Sequence, residues 1–299
     1  MWTLSIDIGG TYVKSALVRN TTVKEKRQVP TPQTENKSFI LFLTDLIRSY
    51  QQLTDIQAVA IAVPGAVTET GTVFFGGAVA CLDKVNLKKQ LEEEIELPVF
   101  VENDAKAAVL GETWYGNLKN TTNGAGIILG TGVGVGLLLE GKIRKGPHCQ
   151  AGEVSFLIQD RAVQGPESFV GIHLSAVRLV KELAALLQCE EDGRQVFEML
   201  YLSGNEAANK LYKQYCNQAA ILCFNLQCLL DLEKMIIGGG ISQQPQLIDD
   251  IQKSYEAIFS LSPMIKQTIP KITIRAAAFQ SDANLIGAAK GAEINEISN

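Results

Sequence analysis

Three short stretches, Asp7-Ile8-Gly9-Gly10-Thr11, Leu129-Gly130-Thr131-Gly132-Val133-Gly134 and Ile237-Gly238-Gly239-Gly240, each set glycines directly after an apolar run. Glycine lets a backbone turn tightly enough for several N–H groups to converge on one anion, which is what a nucleotide's phosphates require. Taken singly, such a turn is a plain hairpin turn. Three in one chain, two of them with a threonine hydroxyl inside, point to phosphate binding. The familiar spellings are absent. There is no G-x-x-x-x-G-K-[ST], and Gly130, Gly132, Gly134 and Gly136 alternate by two with Val135 between, which does not spell G-x-G-x-x-G. Alternating glycines after a strand suit a hairpin lying across a ligand.

Two acids stand where they can act on such a ligand. Asn103-Asp104 falls between an apolar run, Val99–Val101, and a helical stretch from Ala105 to Glu112. Asn or Asp at that junction is an ordinary helix cap. It is also a place where the helix N-terminus favours a carboxylate, which can orient a substrate hydroxyl and accept its proton late in a loose phosphoryl transfer. Glu153 follows the turn Gly146-Pro147 and reads either as a second ligand-binding acid or as a solvated loop carboxylate.

The elements that must position these groups alternate strand with helix. Leu4–Ile8 and Tyr12–Val18 flank the first glycine turn as a hairpin. Phe39, Ile40, Leu43, Leu46, Ile47 and Tyr50 recur at helical spacing, and Ala58–Val63 is a buried strand stopped by Pro64-Gly65. The unit then repeats: Gly126–Leu129 and Val133–Leu139 flank the second turn, helices are expected at Leu174–Gln188 and Glu206–Leu230, and Met235–Ile237 leads into the third turn. A helix over Pro245–Ser260, a strand at Lys271–Arg275 and a last helix near Asn284–Ala292 follow. The pattern predicts an α/β protein with mixed sheets and two similar lobes, residues 1–112 and 113–282, with a C-terminal helix over 283–299 packing back on the first.

Asp7-Ile8-Gly9-Gly10-Thr11, Glu102-Asn103-Asp104-Ala105, Leu129–Gly134, Ala151-Gly152-Glu153, Gly238-Gly239-Gly240 and Leu285-Ile286-Gly287-Ala288, in this order, resemble the ROK family of sugar kinases and regulators. The resemblance covers nearly the whole chain. It implies a two-lobed actin-like/hexokinase-like (ribonuclease H-like) ATPase fold, with sugar in a cleft and ATP over the second lobe. By that similarity Asp104 is the catalytic base toward the sugar 6-hydroxyl, Asn103 and Glu153 bind sugar hydroxyls, and Gly65 gives a backbone contact beside the sugar. Gly9, Gly10, Thr11 and Lys14 match the first phosphate hairpin, Gly130, Thr131 and Gly132 the second, and Gly238 and Gly239 the adenosine-side turn. Asp7 would stand near the Mg²⁺ that travels with ATP, through water. The resemblance also implies a homodimer. The family's regulators carry a DNA-binding module ahead of the first hairpin, for which Asp7 leaves no room, so the expectation is an active kinase, with a non-catalytic sugar-binding regulator or scaffold of this fold as the alternative.

One departure bears on the sugar. Many relatives have a histidine three residues after the matched glutamate, followed by a cysteine-rich zinc stretch. Here that position is Phe156, no cysteine lies between Cys149 and Cys189, and the chain's histidines are His148 and His173, so no zinc site is expected. An aromatic face at Phe156 can stack on a pyranose or its aglycone, and this spelling resembles the β-glucoside kinase branch. Cellobiose-like β-glucosides therefore join glucose and N-acylhexosamines as candidate substrates. Glu167, in Gly165-Pro166-Glu167-Ser168, reads as a surface loop acid.

Composition sets the outer limits. With 299 residues, 46% hydrophobic and 20% charged, the chain is long enough for about two domains and far from a disordered composition. Net charge is −5, from 27 basic and 32 acidic residues, and no long run of basic residues suggests nucleic acid or a membrane surface as partner. The six cysteines are scattered and read as buried, reduced thiols. Met1-Trp2 leads straight into a strand without a basic leader, so a cytoplasmic protein is expected.

Overall fold

The computed structural model describes residues 2–77, 79–160, 162 and 165–298. The chain divides into two compact units: Met1–Lys119 with Ile143–Ala151 and Ser281–Asn299, and Asn120–Lys142 with Gly152–Gln280.

In the first unit, β1 (Thr3–Ile8) and β2 (Tyr12–Arg19) form the expected hairpin, with Asp7 opposite Lys14. An unanticipated β3 (Thr22–Pro30) pairs with the outer side of β2. Its residues are mostly exposed and four of the nine are charged, because it forms the sheet edge, where lysines keep the open ladder soluble. Helix α1 (Asn36–Gln51) precedes β4 (Ala58–Val63), which runs parallel to β1. A small sheet of β5 (Ala66–Val67), β6 (Thr72–Phe74) and β7 (Val85–Asn86) follows, then α2 (Leu87–Ile95), β8 (Val99–Asn103) parallel to β4, and α3 (Asp104–Tyr115). The main sheet has the order β3-β2-β1-β4-β8.

Strand alternation splits this sheet into two unlike faces. Leu4, Ile6 and Ile8 of β1 and Val59, Ile61 and Val63 of β4 join Phe39, Leu43 and Ile47 in one core. The intervening residues are small or polar: Ala58, Ala60 and Ala62 meet Ala107, Ala288 and Ala292, and the Ser5 hydroxyl donates to the Leu285 carbonyl at 2.7 Å.

The second unit repeats the plan. β9 (Gly124–Leu129) and β10 (Val133–Leu139) form a hairpin, with β11 (Lys142–Ile143) at the edge. Helices α4 (Val170–His173), α5 (Ala176–Leu187), α6 (Gly193–Ser203) and α7 (Glu206–Leu230) lead to β12 (Lys234–Gly238), then α8 (Pro245–Ile258), α9 (Pro263–Thr268) and β13 (Ile274–Ala276). The order β11-β10-β9-β12-β13, with β12 parallel to both β9 and β13, mirrors the first sheet. The helix expected over Leu174–Gln188 is present as Ala176–Leu187, beginning two residues later because the Ser175 side chain accepts the Arg178 N–H as its cap. The last strand sits further along than expected, at Ile274–Ala276, where it reaches β12.

The chain ends in α10 (Ala283–Ser298), which packs on α3, β1, β4 and β8 of the first unit. Met1 and Asn299, the expected ends of the first lobe, lie outside the described residues. A division at residue 112 leaves out one further segment. Ile143–Ala151 joins the first unit, tied there by Lys145 to Glu102 and by Lys106 to the Cys149 carbonyl. The cysteines correct another expectation. Cys216 and Cys223 are buried on α7, whereas Cys81, Cys149 and Cys189 are partly exposed and Cys228 is exposed at the end of that helix. Among the described residues, no helix is long and apolar enough to cross a membrane.

Candidate functional site

In the first unit Asp7 stands at the end of β1 on the polar face of the sheet, 8% exposed. Its carboxylate accepts from Asn284 Nδ2 at 3.0 Å and lies 3.9 Å from Lys14 Nζ. Burial raises its pKa above the ordinary 3.8, although Asn284 and the Lys14 ammonium both pull the other way. The turn beside it is pinned: Gly9 N–H donates to the Tyr12 carbonyl at 3.0 Å, and the Thr31 hydroxyl donates to the Gly9 carbonyl at 2.6 Å. Gly10 is half-buried and Thr11 exposed at the tip.

Asn103 is the cap of α3, and Asp104 is the first helical residue. The Asn103 side chain accepts the Lys106 N–H at 3.0 Å and donates to the Gly65 carbonyl and to Asp104 Oδ1, both at 3.0 Å. Asp104 Oδ1 also accepts the Ala105 N–H at 2.7 Å, so the half-buried carboxylate is aimed by two donors. Gly65 is obligatory here. Its φ is +96°, and a Cβ would stand 2.4 Å from the Phe74 carbonyl oxygen. Sequence reasoning missed the support beneath this turn. Buried Glu102 pairs with Lys145 at 2.7 Å and accepts the Asn103 N–H at 2.9 Å. Lys106, also buried, donates to the Cys149 carbonyl at 3.3 Å.

In the second unit the pairing of β9 with β12 brings two glycine turns together, Gly238 lying opposite Ile128. Gly239, at φ +91°, packs so closely that a Cβ would fall 2.0 Å from the Leu129 carbonyl oxygen. The tip Gly130-Thr131-Gly132 is held by the start of α5, where Ala176 N–H donates to the Gly130 carbonyl at 2.8 Å. A cavity of about 420 Å³ opens beside both turns, between Gly130, Val177, Val180, Arg194, Phe197 and Ile241. These residues come from separate elements, α6 among them unanticipated, so no local spelling announces the cavity. Its apolar walls and the bare backbone at its edge suit a planar base with phosphates attached.

Glu153 belongs to the second unit. The Gly152 carbonyl before it accepts the Val135 and Val154 N–H groups, at 3.0 and 2.8 Å, fixing it against β10. Its carboxylate is half-buried and meets no hydrogen-bond donor among the described residues. Phe156 is 70% exposed and stands edge-on to Phe169, with ring centroids 6.0 Å apart, so one aromatic face is open. Glu167 is exposed and pairs with Arg178 at 3.3 Å. Among the described residues no group of three or more His, Cys, Asp and Glu side chains is placed to hold a metal ion.

Comparison with known proteins accounts for this layout. The chain is 30% identical over 241 residues to the beta-glucoside kinase of Listeria monocytogenes, covering 79% of each. It is 28% identical over 298 residues to the N-acetylmannosamine kinase of Vibrio cholerae, covering 97% of this chain and 98% of that one. The ROK family glucokinase from Streptomyces griseus, solved in complex with glucose and AMPPNP, matches with a TM-score of 0.83 and 26% identity over 97% of this chain and 98% of the other. The fold is accordingly the two-domain, actin-like α/β fold of the ROK glucokinases and hexokinases. With the ROK family model matching residues 3–293, the chain belongs to the ROK family.

Proposed function

We propose that the protein is an ATP-dependent sugar kinase that transfers the γ-phosphoryl group to the 6-hydroxyl of a hexose or β-glucoside. The observation that carries this reading is Asp104, a carboxylate oriented by the Ala105 N–H and the Asn103 amide at the start of a helix. So held, it accepts the proton of a sugar hydroxyl while the hydroxyl oxygen forms a bond to the γ-phosphorus. The bond from that phosphorus to the bridging oxygen breaks, and ADP leaves with the electron pair. Asn103 and Gly65 are the sugar ligands of the first unit, beside Asp104, and Glu153, whose carboxylate meets no hydrogen-bond donor among the described residues, is that of the second. Gly9, Gly10, Thr11 and Lys14, with Gly130, Thr131 and Gly132, receive the phosphates, while Gly238 and Gly239 border the adenosine.

The residues fit ATP at the cavity beside Gly130 and Gly240. Mg²⁺ would arrive on the nucleotide's phosphates and neutralise their charge, and Asp7, a carboxylate at the end of β1 beside the first glycine turn, would help to hold it through water. The kinase activities named for the relatives support the reaction class, and the beta-glucoside kinase of Listeria monocytogenes favours β-glucosides among the candidate sugars. The open face of Phe156 supports the same choice, since it offers a stacking surface to an aglycone. Free glucose and N-acylhexosamines are the other members of the panel.

The test is ADP release on adding ATP, Mg²⁺ and in turn glucose, N-acetylhexosamines, cellobiose and aryl β-glucosides. Asp104→Asn keeps the acceptor oxygen at the helix start, so kcat is expected to fall by roughly 10²- to 10⁴-fold with sugar binding retained. Release of ADP with none of these sugars refutes the kinase, and good turnover of free glucose with none of any β-glucoside refutes the substrate refinement.

A further inference from the structure

Ser155 stands two residues beyond Glu153, in a short 3-10 turn over Val154–Phe156. Its hydroxyl accepts the Val133 N–H at 2.9 Å and donates to the Val133 carbonyl at 3.0 Å. One side chain thus holds both backbone groups of the residue that follows Gly130-Thr131-Gly132. The fit is tight on two further sides. A Cβ on Gly132 would come within 3.1 Å of Ser155 Oγ, and one on Gly171 within 2.8 Å of Ser155 Cβ and Oγ. The hydroxyl cannot swing away without breaking two hydrogen bonds, and Gly171 leaves no room behind it. The opposite side of the same tip is anchored on α5 through the Gly130 carbonyl. The glycine tip is therefore gripped between α5 and the turn that carries Glu153.

We propose that Ser155 is a positioning residue that couples sugar binding at Glu153 to phosphate binding at Gly130-Thr131-Gly132. The inference rests on the roles given to Glu153 and to this tip under the proposed function. A sugar bound to the Glu153 carboxylate fixes the 3-10 turn, and the turn is short enough that fixing Glu153 fixes Ser155. The hydroxyl then holds the Val133 N–H and carbonyl, which keeps the preceding tip in the shape that receives phosphate. Binding of nucleotide has the same effect in reverse, because such coupling is reciprocal. The hydrogen bond from the Val135 N–H to the Gly152 carbonyl runs alongside this link but lies two residues further along β10, so it does not grip the tip itself.

The experiment is calorimetric titration of Mg²⁺–AMPPNP into the protein, alone and with saturating glucose, then with saturating cellobiose. In the unaltered protein the sugar that supports turnover is expected to tighten AMPPNP binding about tenfold. In Ser155→Ala that ratio falls to near one, while AMPPNP affinity without sugar changes less than about threefold. A merely structural role would weaken both titrations together and leave the ratio intact. Should Ser155→Ala not fold, Ser155→Cys keeps the volume with much weaker hydrogen bonding and is read in the same way. A ratio of one in the unaltered protein, or an unchanged ratio in the variants of an active kinase, overturns the coupling while leaving the kinase reading standing. Absence of ADP release with every sugar refutes the kinase reading itself.

Discussion

Replacing Lys145 by methionine isolates the contribution of the Glu102–Lys145 pair to the Asp104 turn. The pair is 2.7 Å apart, with the Glu102 side chain 5% and the Lys145 side chain 28% exposed. At an effective dielectric near 20 the attraction over that distance is about 6 kcal/mol. Water at the partly exposed ammonium screens roughly half of it, leaving about 3 kcal/mol, within the range for stranding one partner of a buried pair. Lys145→Met is therefore expected to destabilise the first unit by about 3 kcal/mol. Glu102→Gln costs less, roughly 1 to 2 kcal/mol, because the amide oxygen still accepts the Asn103 N–H and the released lysine reaches solvent. The double variant should recover about 1 to 2 kcal/mol relative to the sum of the singles. Urea unfolding followed by tryptophan fluorescence reads this unit specifically, since Trp2 and Trp114 are the chain's tryptophans and both belong to it. Additivity of the two substitutions within about 0.5 kcal/mol would refute the pairing argument. Because Glu102 also accepts the N–H of the residue that steers Asp104, kcat is expected to fall with Lys145→Met even where the protein remains folded.

Asp7→Asn should change stability in a pH-dependent way. The folded chain holds the Asp7 proton more tightly than the unfolded chain, so ionising it subtracts stability as pH rises from about 3.8 through the raised folded value, and the whole cost is present above that value. The Tm of Asp7→Asn minus that of the unaltered protein is expected to increase across this window. A difference that stays flat with pH counts against a raised Asp7. Phe156→Ala should raise KM for cellobiose and aryl β-glucosides roughly fivefold, the equivalent of about 1 kcal/mol of aromatic contact, with glucose changed less than about twofold; equal effects on both would remove the aglycone role. Burial pushes the Cys216 and Cys223 thiols up to about 12, so in the folded protein a neutral alkylating reagent should modify exposed Cys228 first and spare those two until the chain is unfolded. Mass mapping that finds Cys223 modified as fast as Cys228 would contradict the packing of α7.

The parts of the fold that could be read from residues are those governed by local period and punctuation. The alternation of β1 and β4, the stripe of α1 and the glycines ending β1, β9 and β12 all announce themselves within a few positions. Asn103-Asp104 could be read because a cap and a candidate base need the same chemistry at the same place. The edge strand β3 could not, since its charged and largely exposed residues mimic a loop. Nor could the return of Ile143–Ala151 to the first unit. That return depends on Glu102 meeting a lysine more than forty positions away, a pairing with no period to betray it. The cavity beside Gly130 and the grip of Ser155 on Val133 have the same origin: each joins residues distant in sequence, and neither alters the pattern of the element that supplies them.

The first unit is discontinuous, and its final piece, α10, is made only after the whole of the second unit. The alanines of β4 and α3 wait for Ala288 and Ala292, and a Cβ on Gly287 would lie 1.6 Å from the Ala107 carbonyl oxygen, so little else fits the seam. During synthesis the strands β1, β4 and β8 are thus made before the intervening unit but sealed only after that unit already has its whole sequence. A stop codon ahead of Ala283 would leave that intervening unit complete in sequence and the unit begun before it unsealed.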